Sequence, residues 1–444
     1  MKKYERYKDS GLEWLGNVPE HWKVMKMKYL CNVTDGTHFS PTTISEGKPY
    51  ITVTNVKDDV IDVDGAGKIS LDDFNELVKQ GCQPKTGDVL LTKDGTVGRT
   101  AIVKDNDYVV LSSLGILSPN TSLTSSYLKY MLDSLTLQEQ MNEAMAGSAL
   151  RRITITKIKD LLGLLPPLTE QRIIAAYLDY KVGQIDALIS EKEKMVDDLK
   201  AYRSSIITEA VTKGLDKNVE MKDSGNAIFK HIPHNWVLTP IKYLTDKVGS
   251  GVTPTGGANV YQQEGIIFLR SQNIYPTGLQ LDDVVYISEE IDNNMSATRV
   301  NKGDVLLNIT GASIGRCFTY NIDERANVNQ HVCIIRPKQI LLNGKYLQYI
   351  FNSNAGQNFI SSVQNGANRE GLNFEQIKNF SIPTPTIEEQ ERIVLFLREK
   401  LSKIDKSQTE IEHQLSDLKS YKSSLITEAV TGKIDLRDWQ TQKA

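Results

Sequence analysis

The sequence predicts a mixed α/β protein written twice, each copy a domain of short strands and helices followed by a long helical rod. Three observations carry this: segments that return at a nearly constant offset, one change of character inside each copy, and a heptad seam common to both rods. Asp9-Ser10-Gly11 and Val18-Pro19-Glu20-His21-Trp22 return as Asp223-Ser224-Gly225 and Ile232-Pro233-His234-Asn235-Trp236. Gly87-Asp88-Val89-Leu90-Leu91 returns as Gly303-Asp304-Val305-Leu306-Leu307, and Gly98-Arg99 as Gly315-Arg316. Glu170-Gln171-Arg172-Ile173 returns as Glu389-Gln390-Glu391-Arg392-Ile393, and Tyr202 through Thr212 return almost unchanged as Tyr421 through Thr431. Two copies of about 215 residues are a duplicated domain pair, since solenoid repeats run to about 20–50 residues.

The mixed parts, 1–168 and 214–387, hold β-branched runs such as Ile51-Thr52-Val53-Thr54 and Ile266-Ile267-Phe268-Leu269 between Gly, Asp and Asn turns. The rods, 169–213 and 388–432, follow the proline segments Leu165-Pro166-Pro167-Leu168 and Ile382-Pro383-Thr384-Pro385, and a tail covers 433–444. Thr169 and Thr386 stand as N-caps, acidic Glu170 and Glu388-Glu389 suit the first turn, and Gly214 and Gly432 close the helices. Some 44 residues at about 1.5 Å each make a rod of roughly 65 Å. Leu178, Val182, Ile185, Ile189, Val196, Leu199 and Ile206 step by fours and threes, with Lys192 and Arg203 in the remaining places. Leu397, Leu401, Ile404, Gln408, Ile411, Leu415, Leu418, Lys422 and Leu425 repeat the pattern. Such a seam has to bury itself against another helix, and its own copy is the nearest candidate.

With 40% hydrophobic and 24% charged residues in 444, the composition is that of an ordinary globular protein, and the net charge of −3 excludes a uniformly basic histone-like chain. Cys31, Cys82, Cys317 and Cys333 are scattered without metal-ligand spacing, which fits a reducing cytoplasm and no metal site. No stretch reads as a membrane span or export signal.

Catalytic constellations fail in turn. Gly65-Ala66-Gly67-Lys68-Ile69 lacks the hydroxyl and first glycine of a P-loop, and Gly249-Ser250-Gly251 has its next glycine at the wrong spacing for a dinucleotide fingerprint. His231 and His234 lack the glutamate of a zincin helix, and Glu46-Gly47-Lys48 sits between turns with no preceding Pro-Asp. No Asn-Pro-Pro-aromatic motif is present. Two diverged heads on a rod therefore suggest a binding protein that spans the pseudo-dyad of duplex DNA, its modules about one helical turn or a multiple apart. Because the heads diverge between the repeated segments, the two half-sites should differ.

At this point the chain resembles the specificity subunit of type I restriction-modification systems. The resemblance rests on the Trp-ended Ile/Val-Pro entry, Gly-Asp-Val-Leu-Leu before a Gly-Arg turn, and Leu-Pro-Pro-Leu-x-Glu-Gln-Arg-Ile opening a long helix, all repeated. It implies two target-recognition domains and two helices paired as an antiparallel coiled coil, with no catalysis and no cofactor in this chain. It further implies an asymmetric gapped DNA target, two adenine-methylating modification subunits docked along the helices, and recruited ATP-driven restriction subunits. S-adenosylmethionine, ATP and Mg²⁺ would belong to those partners. Pro383-Thr384-Pro385 and the extra residue in Glu389-Gln390-Glu391-Arg392 are the departures. The alternative is a scaffold of the same complex that reads no DNA.

Arginine suits guanine, Asn and Gln suit adenine, and lysine mainly contacts phosphate. Glycine-bounded polar turns with a cation are the first candidates for DNA contact: Lys93, Thr96 and Arg99, with Asn308, Ser313 and Arg316. Asp35, Thr37 and His38 with their counterpart Thr253 come next, then the strand edges Asn55 and Arg270, Gln272 and Asn273. Ser148, Arg151 and Arg152, matched by Asn368 and Arg369, precede the rods. Near-identity around the whole rod circumference over 202–212 and 421–431 exceeds what a seam needs. It marks Arg203, Ile207, Glu209, Lys422, Ile426 and Glu428 as candidate contacts for two copies of one partner. Trp14, Trp22 and Trp236 read as packing anchors rather than stacking platforms.

Overall fold

A computed structural model describes residues 2–57, 59–146, 151–364 and 371–440. Two compact units result, Met1–Glu193 with His413–Ala444, and Lys194–Glu412. Each unit takes part of both long helices, Leu168–Lys213 and Ile387–Val430.

In the first unit the Gly-Asp-Val-Leu-Leu segment becomes Val89–Thr92, a strand inside the antiparallel sheet ordered Thr100–Ile102, Val89–Thr92, Leu114–Pro119, Cys31–Asp35. A smaller sheet pairs Lys48–Ile51 in parallel with Val109–Val110 and antiparallel with Gly67–Ile69. The second unit repeats the larger sheet as Thr245–Ser250, Val332–Pro337, Val305–Asn308, Cys317–Thr319, and pairs Ile266–Leu269 in parallel with Ala326–Val328. The apolar runs are continuous because side chains alternate between two cores. Val89 and Leu91 pack with the helices while Leu90 faces Val110 and Ile116; Val305 and Leu307 face one way and Leu306 the other.

The seam residues are buried or half-buried throughout, Leu178 and Leu397 completely. Within the first unit the helices run antiparallel: Lys422 meets Asp186 at 2.7 Å, Lys419 meets Glu193 at 3.0 Å, and Lys192 Nζ donates to Gln414 at 2.6 Å. In the second, Arg203 pairs with Asp405. The first long helix begins at Leu168, one residue early, so Thr169 is inside the helix; Thr386 does cap the second through Glu389 N. Gly214 (φ 77°) and Gly432 (φ 69°) supply the left-handed residue after each helix.

The Glu-Gln pair at each helix start has a tertiary role. Gln171, fully buried, accepts from Thr124 N and donates to Ser122 O and Pro166 O; Gln390 does the same with Asn343 N, Leu341 O and Pro385 O. Each unit is closed by the end of a long helix. Tyr127 donates to Val430 O and Leu135 N to Thr427 Oγ1, while Tyr346 donates to Val211 O and Asn354 N to Thr208 Oγ1. Trp22 and Trp236 are fully buried anchors, whereas Trp14 stays 44% exposed.

Candidate nucleic-acid interface

In the first unit three of the sequence-predicted groups converge. The strand Cys31–Asp35 ends beside the turn that follows Val89–Thr92, and Asp35 Oδ1 lies 3.2 Å from Lys93 Nζ. The other carboxylate oxygen is 3.1 Å from His38 Nε2. The next residue, Gly36, lets the chain pass close against Val110 and Leu111, since a Cβ there would sit 2.3 Å from Val110 O. Next along the turn, Asp94 Oδ1 meets Arg152 Nε at 3.0 Å, Gly95 N donates to Arg151 O, and Arg151 donates to Asn142 Oδ1. His38, Thr96, Arg151 and Arg152 are exposed around these contacts, and Arg99 is exposed farther along the same turn.

The second unit builds the same backbone frame with other side chains. Gly251 N bonds Val332 O as Gly36 N bonds Leu114 O, and Ile309 N bonds His331 O as Lys93 N bonds Ser113 O. Leu372 N bonds Ile309 O as Ile153 N bonds Lys93 O. Here Thr310 Oγ1 is 2.6 Å from His331 Nδ1, and the Arg316 guanidinium lies 4.5 Å over the Tyr275 ring. Thr253 and Gln272 are exposed, and Arg270 donates to Asp283 O.

Comparison with known proteins decides what this duplicated frame belongs to. The model of the "Type I restriction modification DNA specificity domain" matches residues 19–196 and 233–419, one copy in each repeat. The chain belongs to that family. It is 23% identical over 441 residues to the Type I restriction enzyme EcoBI specificity subunit of Escherichia coli, covering 98% of this chain and 90% of that one. It is 24% identical over 443 residues to the putative type I restriction enzyme MjaX specificity subunit of Methanocaldococcus jannaschii, covering 95% and 96%. A solved chain from work on complex assembly and conformational transition of the type I R-M system shares the fold, with TM-score 0.69 at 15% identity over 94% of this chain and 99% of that one.

Several candidates are withdrawn from the surface of this specificity-family chain. Asn55 is 6% exposed because its amide caps its own turn, accepting from Thr52 N and donating to Asp62 O. Asn273 is fully buried in the equivalent turn, accepting from Arg270 N and donating to Gln280 O and Asp283 Oδ1. Asn308 is fully buried and donates to Ser271 O. Thr37 is 4% exposed, and Lys93 at 1% serves Asp35 rather than a phosphate. Ser313 is a half-buried member of the turn, its carbonyl accepting from Arg316 N. Ser148, Asn368 and Arg369 lie outside the described residues.

Residues that sequence reasoning missed hold the Gly-Arg turns. Gln138 Nε2 donates to Gly98 O at 2.9 Å and Gln357 Nε2 to Gly315 O at 3.1 Å, fixing glycines whose φ values are 100° and 84°. Each turn overlooks a cleft against the helix end of its own unit. The first, about 760 Å³, is lined by Arg99, Lys129, Asp133, Gln138, Lys422 and Ile426; the second, about 300 Å³, by Arg316, Asn352, Gln357, Arg203 and Ile207. Lys129 meets both Asp133 and Asp59 at 2.8 Å in the first. Burial raises the Asp133 pKa against the opposing pull of Lys129 and Thr100.

The rod candidates divide. Ile207 and Ile426 are each 4% exposed and pack into the core of their own unit, so neither is available to a partner and an aspartate there would break folding first. Docking of the helix ends, each within its own unit, gives the repeated circumference a reason inside the chain. Arg203 and Lys422 are taken by Asp405 and Asp186, while Glu209 and Glu428 remain exposed. Among the described residues no His/Cys/Asp/Glu group is arranged to hold a metal ion, and no helix is long and apolar enough to cross a membrane. All four cysteines are free and buried.

Proposed function

We propose that this chain is the DNA-reading specificity subunit of a type I restriction-modification complex, with no catalysis of its own, and that each unit reads one half of an asymmetric, gapped target. The observation that carries this reading is the pair of polar surfaces built on one backbone frame but furnished differently, Asp35, Lys93 and Arg152 against Ser250, Ile309 and Gly371. A common frame gives both units the same way of meeting a groove, and different side chains give them different bases to meet.

The chain would act in the cytoplasm, where its buried thiols stay reduced. Two modification subunits, using S-adenosylmethionine, would dock along the long helices, and restriction subunits using ATP and Mg²⁺ would join them. Tyr202 and Tyr421, equivalent and 54% and 50% exposed, together with Glu209 and Glu428, are the partner-facing residues this reading selects. Replacing both tyrosines by Asp should abolish co-purification with the modification subunit.

DNA affinity of the assembled complex, measured against salt, tests the function. Phosphate contacts release counterions and give a steep negative slope. A flat slope would mark a scaffold that reads no DNA.

A further inference from the structure

An ion pair beneath the first unit's reading surface, its cation buried and its carboxylate half-buried, has no counterpart in the duplicate. Lys93 is 1% exposed and its ammonium lies 3.2 Å from Asp35 Oδ1, while Asp35 Oδ2 faces His38 at 3.1 Å. The second unit places Ser250 and Ile309 at these positions with the surrounding backbone hydrogen bonds unchanged: Gly251 N to Val332 O, Ile309 N to His331 O, Leu372 N to Ile309 O. Asp35 pairs with Gly115 across the sheet as Ser250 pairs with Cys333. The fold therefore accepts a neutral pair here. Buried ion pairs are often matched or exceeded in stability by apolar replacements, so folding does not explain why this one is present.

We propose that Asp35 and Lys93 are positioning residues for base recognition by the first unit, and that His38 is the side chain they present to DNA. The inference rests on the DNA-reading function proposed above. Lys93 neutralises Asp35 from below on its Oδ1 side, while Oδ2 faces the His38 ring. Nε2 lies 3.1 Å from the carboxylate, and Nδ1 is the ring's other hydrogen-bonding atom. His38 has 69% of its side chain exposed, so the ring is held from below while its outer edge stays open. Arg152, held by Asp94 one residue beyond Lys93, is a second exposed group of fixed position on the same surface. A base edge is read only by donors and acceptors of fixed geometry, and an exposed histidine without an orienting partner would spread over its rotamers.

The test uses the full chain co-expressed with its modification subunit, and reads the methylated motif by single-molecule sequencing of the host DNA. Asp35→Ser with Lys93→Ile transplants the second unit's own pair. The expected result is a complex whose unfolding temperature is no lower than the parent's, and a motif that loses discrimination, or at least tenfold in methylation rate, at positions in one half only. His38→Thr, which copies Thr253 and changes an exposed side chain, should relax the same positions. An unchanged motif methylated within threefold of the parent rate in either variant overturns the proposal. A double variant that fails to fold overturns the claim that the frame accepts a neutral pair, and His38→Thr then decides the recognition role. A parent complex that methylates no motif refutes the DNA-reading function itself, which is a different failure.

Discussion

Glu170 offers an internal experiment, because its repeat Glu389 opens the other long helix in a different setting. Glu170 is 8% exposed and accepts from Trp22 Nε1 at 3.0 Å, from Tyr4 OH at 3.1 Å and from His21 Nε2 at 2.6 Å. Trp236 Nε1, the repeat of Trp22, has no partner among the described residues, so Glu389 carries no such network. Glu170→Ala strips two buried donors of their acceptor. Each buried group left unsatisfied costs about 1–3 kcal/mol, and the partly exposed His21 returns to water at little loss. The sum is about 2–6 kcal/mol against the first unit, whereas Glu389→Ala should cost no more than about 1 kcal/mol, the helix-dipole contribution common to both. Because two units need not unfold together, amide hydrogen exchange resolved by peptide is the assay. Core amides of 24–33 and 89–117 should exchange about 10–10⁴ times faster in Glu170→Ala, with 245–337 unchanged, at roughly 1.4 kcal/mol per tenfold. Equal effects from the two substitutions, or an effect of Glu170→Ala spread over both units, would refute the reasoning.

Lys129→Met leaves Asp133 and Asp59 without their cation and should destabilise the first unit by about 3–5 kcal/mol at pH 7. Burial already holds the Asp133 pKa above its ordinary value, so the folded form binds a proton more readily than the unfolded one. The penalty is absent below the ordinary carboxylate value, grows as pH rises through the raised folded value, and denaturation of the variant should be milder near pH 4. Gly36→Ala and Gly251→Ala put a Cβ 2.3 Å from Val110 O and 1.8 Å from Val328 O, and each should lower the stability of its own unit by about 1–3 kcal/mol or more in chemical denaturation. Arg99→Ala and Arg316→Ala remove one exposed and one half-buried cation beside the glycine turns. Each should weaken DNA binding and reduce the salt slope of the assembled complex by about 1.

The duplication and the helical seam were legible because both are periodic, and periodicity survives in a single sequence. Leu178, Val182, Leu397 and Leu401 are buried as their spacing predicts. The convergence of Asp35, Lys93 and Arg152 was legible only as membership of separate polar turns. Side-chain direction was not: Asn55 and Asn273 look like adenine readers at strand edges, yet such side chains satisfy their own backbone equally well. Lys93 carries the composition of a phosphate contact but points inward to Asp35. Ile207 lies off the heptad seam and so reads as a free face, and only the packing of the recognition domain on that face reveals its burial. Gln171 and Gln390 stood out as part of a motif, but their role between two loops and a proline carbonyl is wholly tertiary.

Two similar units that read two different half-sites leave a distinct mark on DNA. A single-molecule methylation map of host DNA, with the gene for this chain intact and deleted and neighbouring genes untouched, tests for it most directly. Deletion should remove adenine methylation at one motif made of two unlike halves separated by unspecified bases. No change at any motif in a strain shown to express the chain, or loss at a palindromic or ungapped motif, would contradict the reading of two different half-sites.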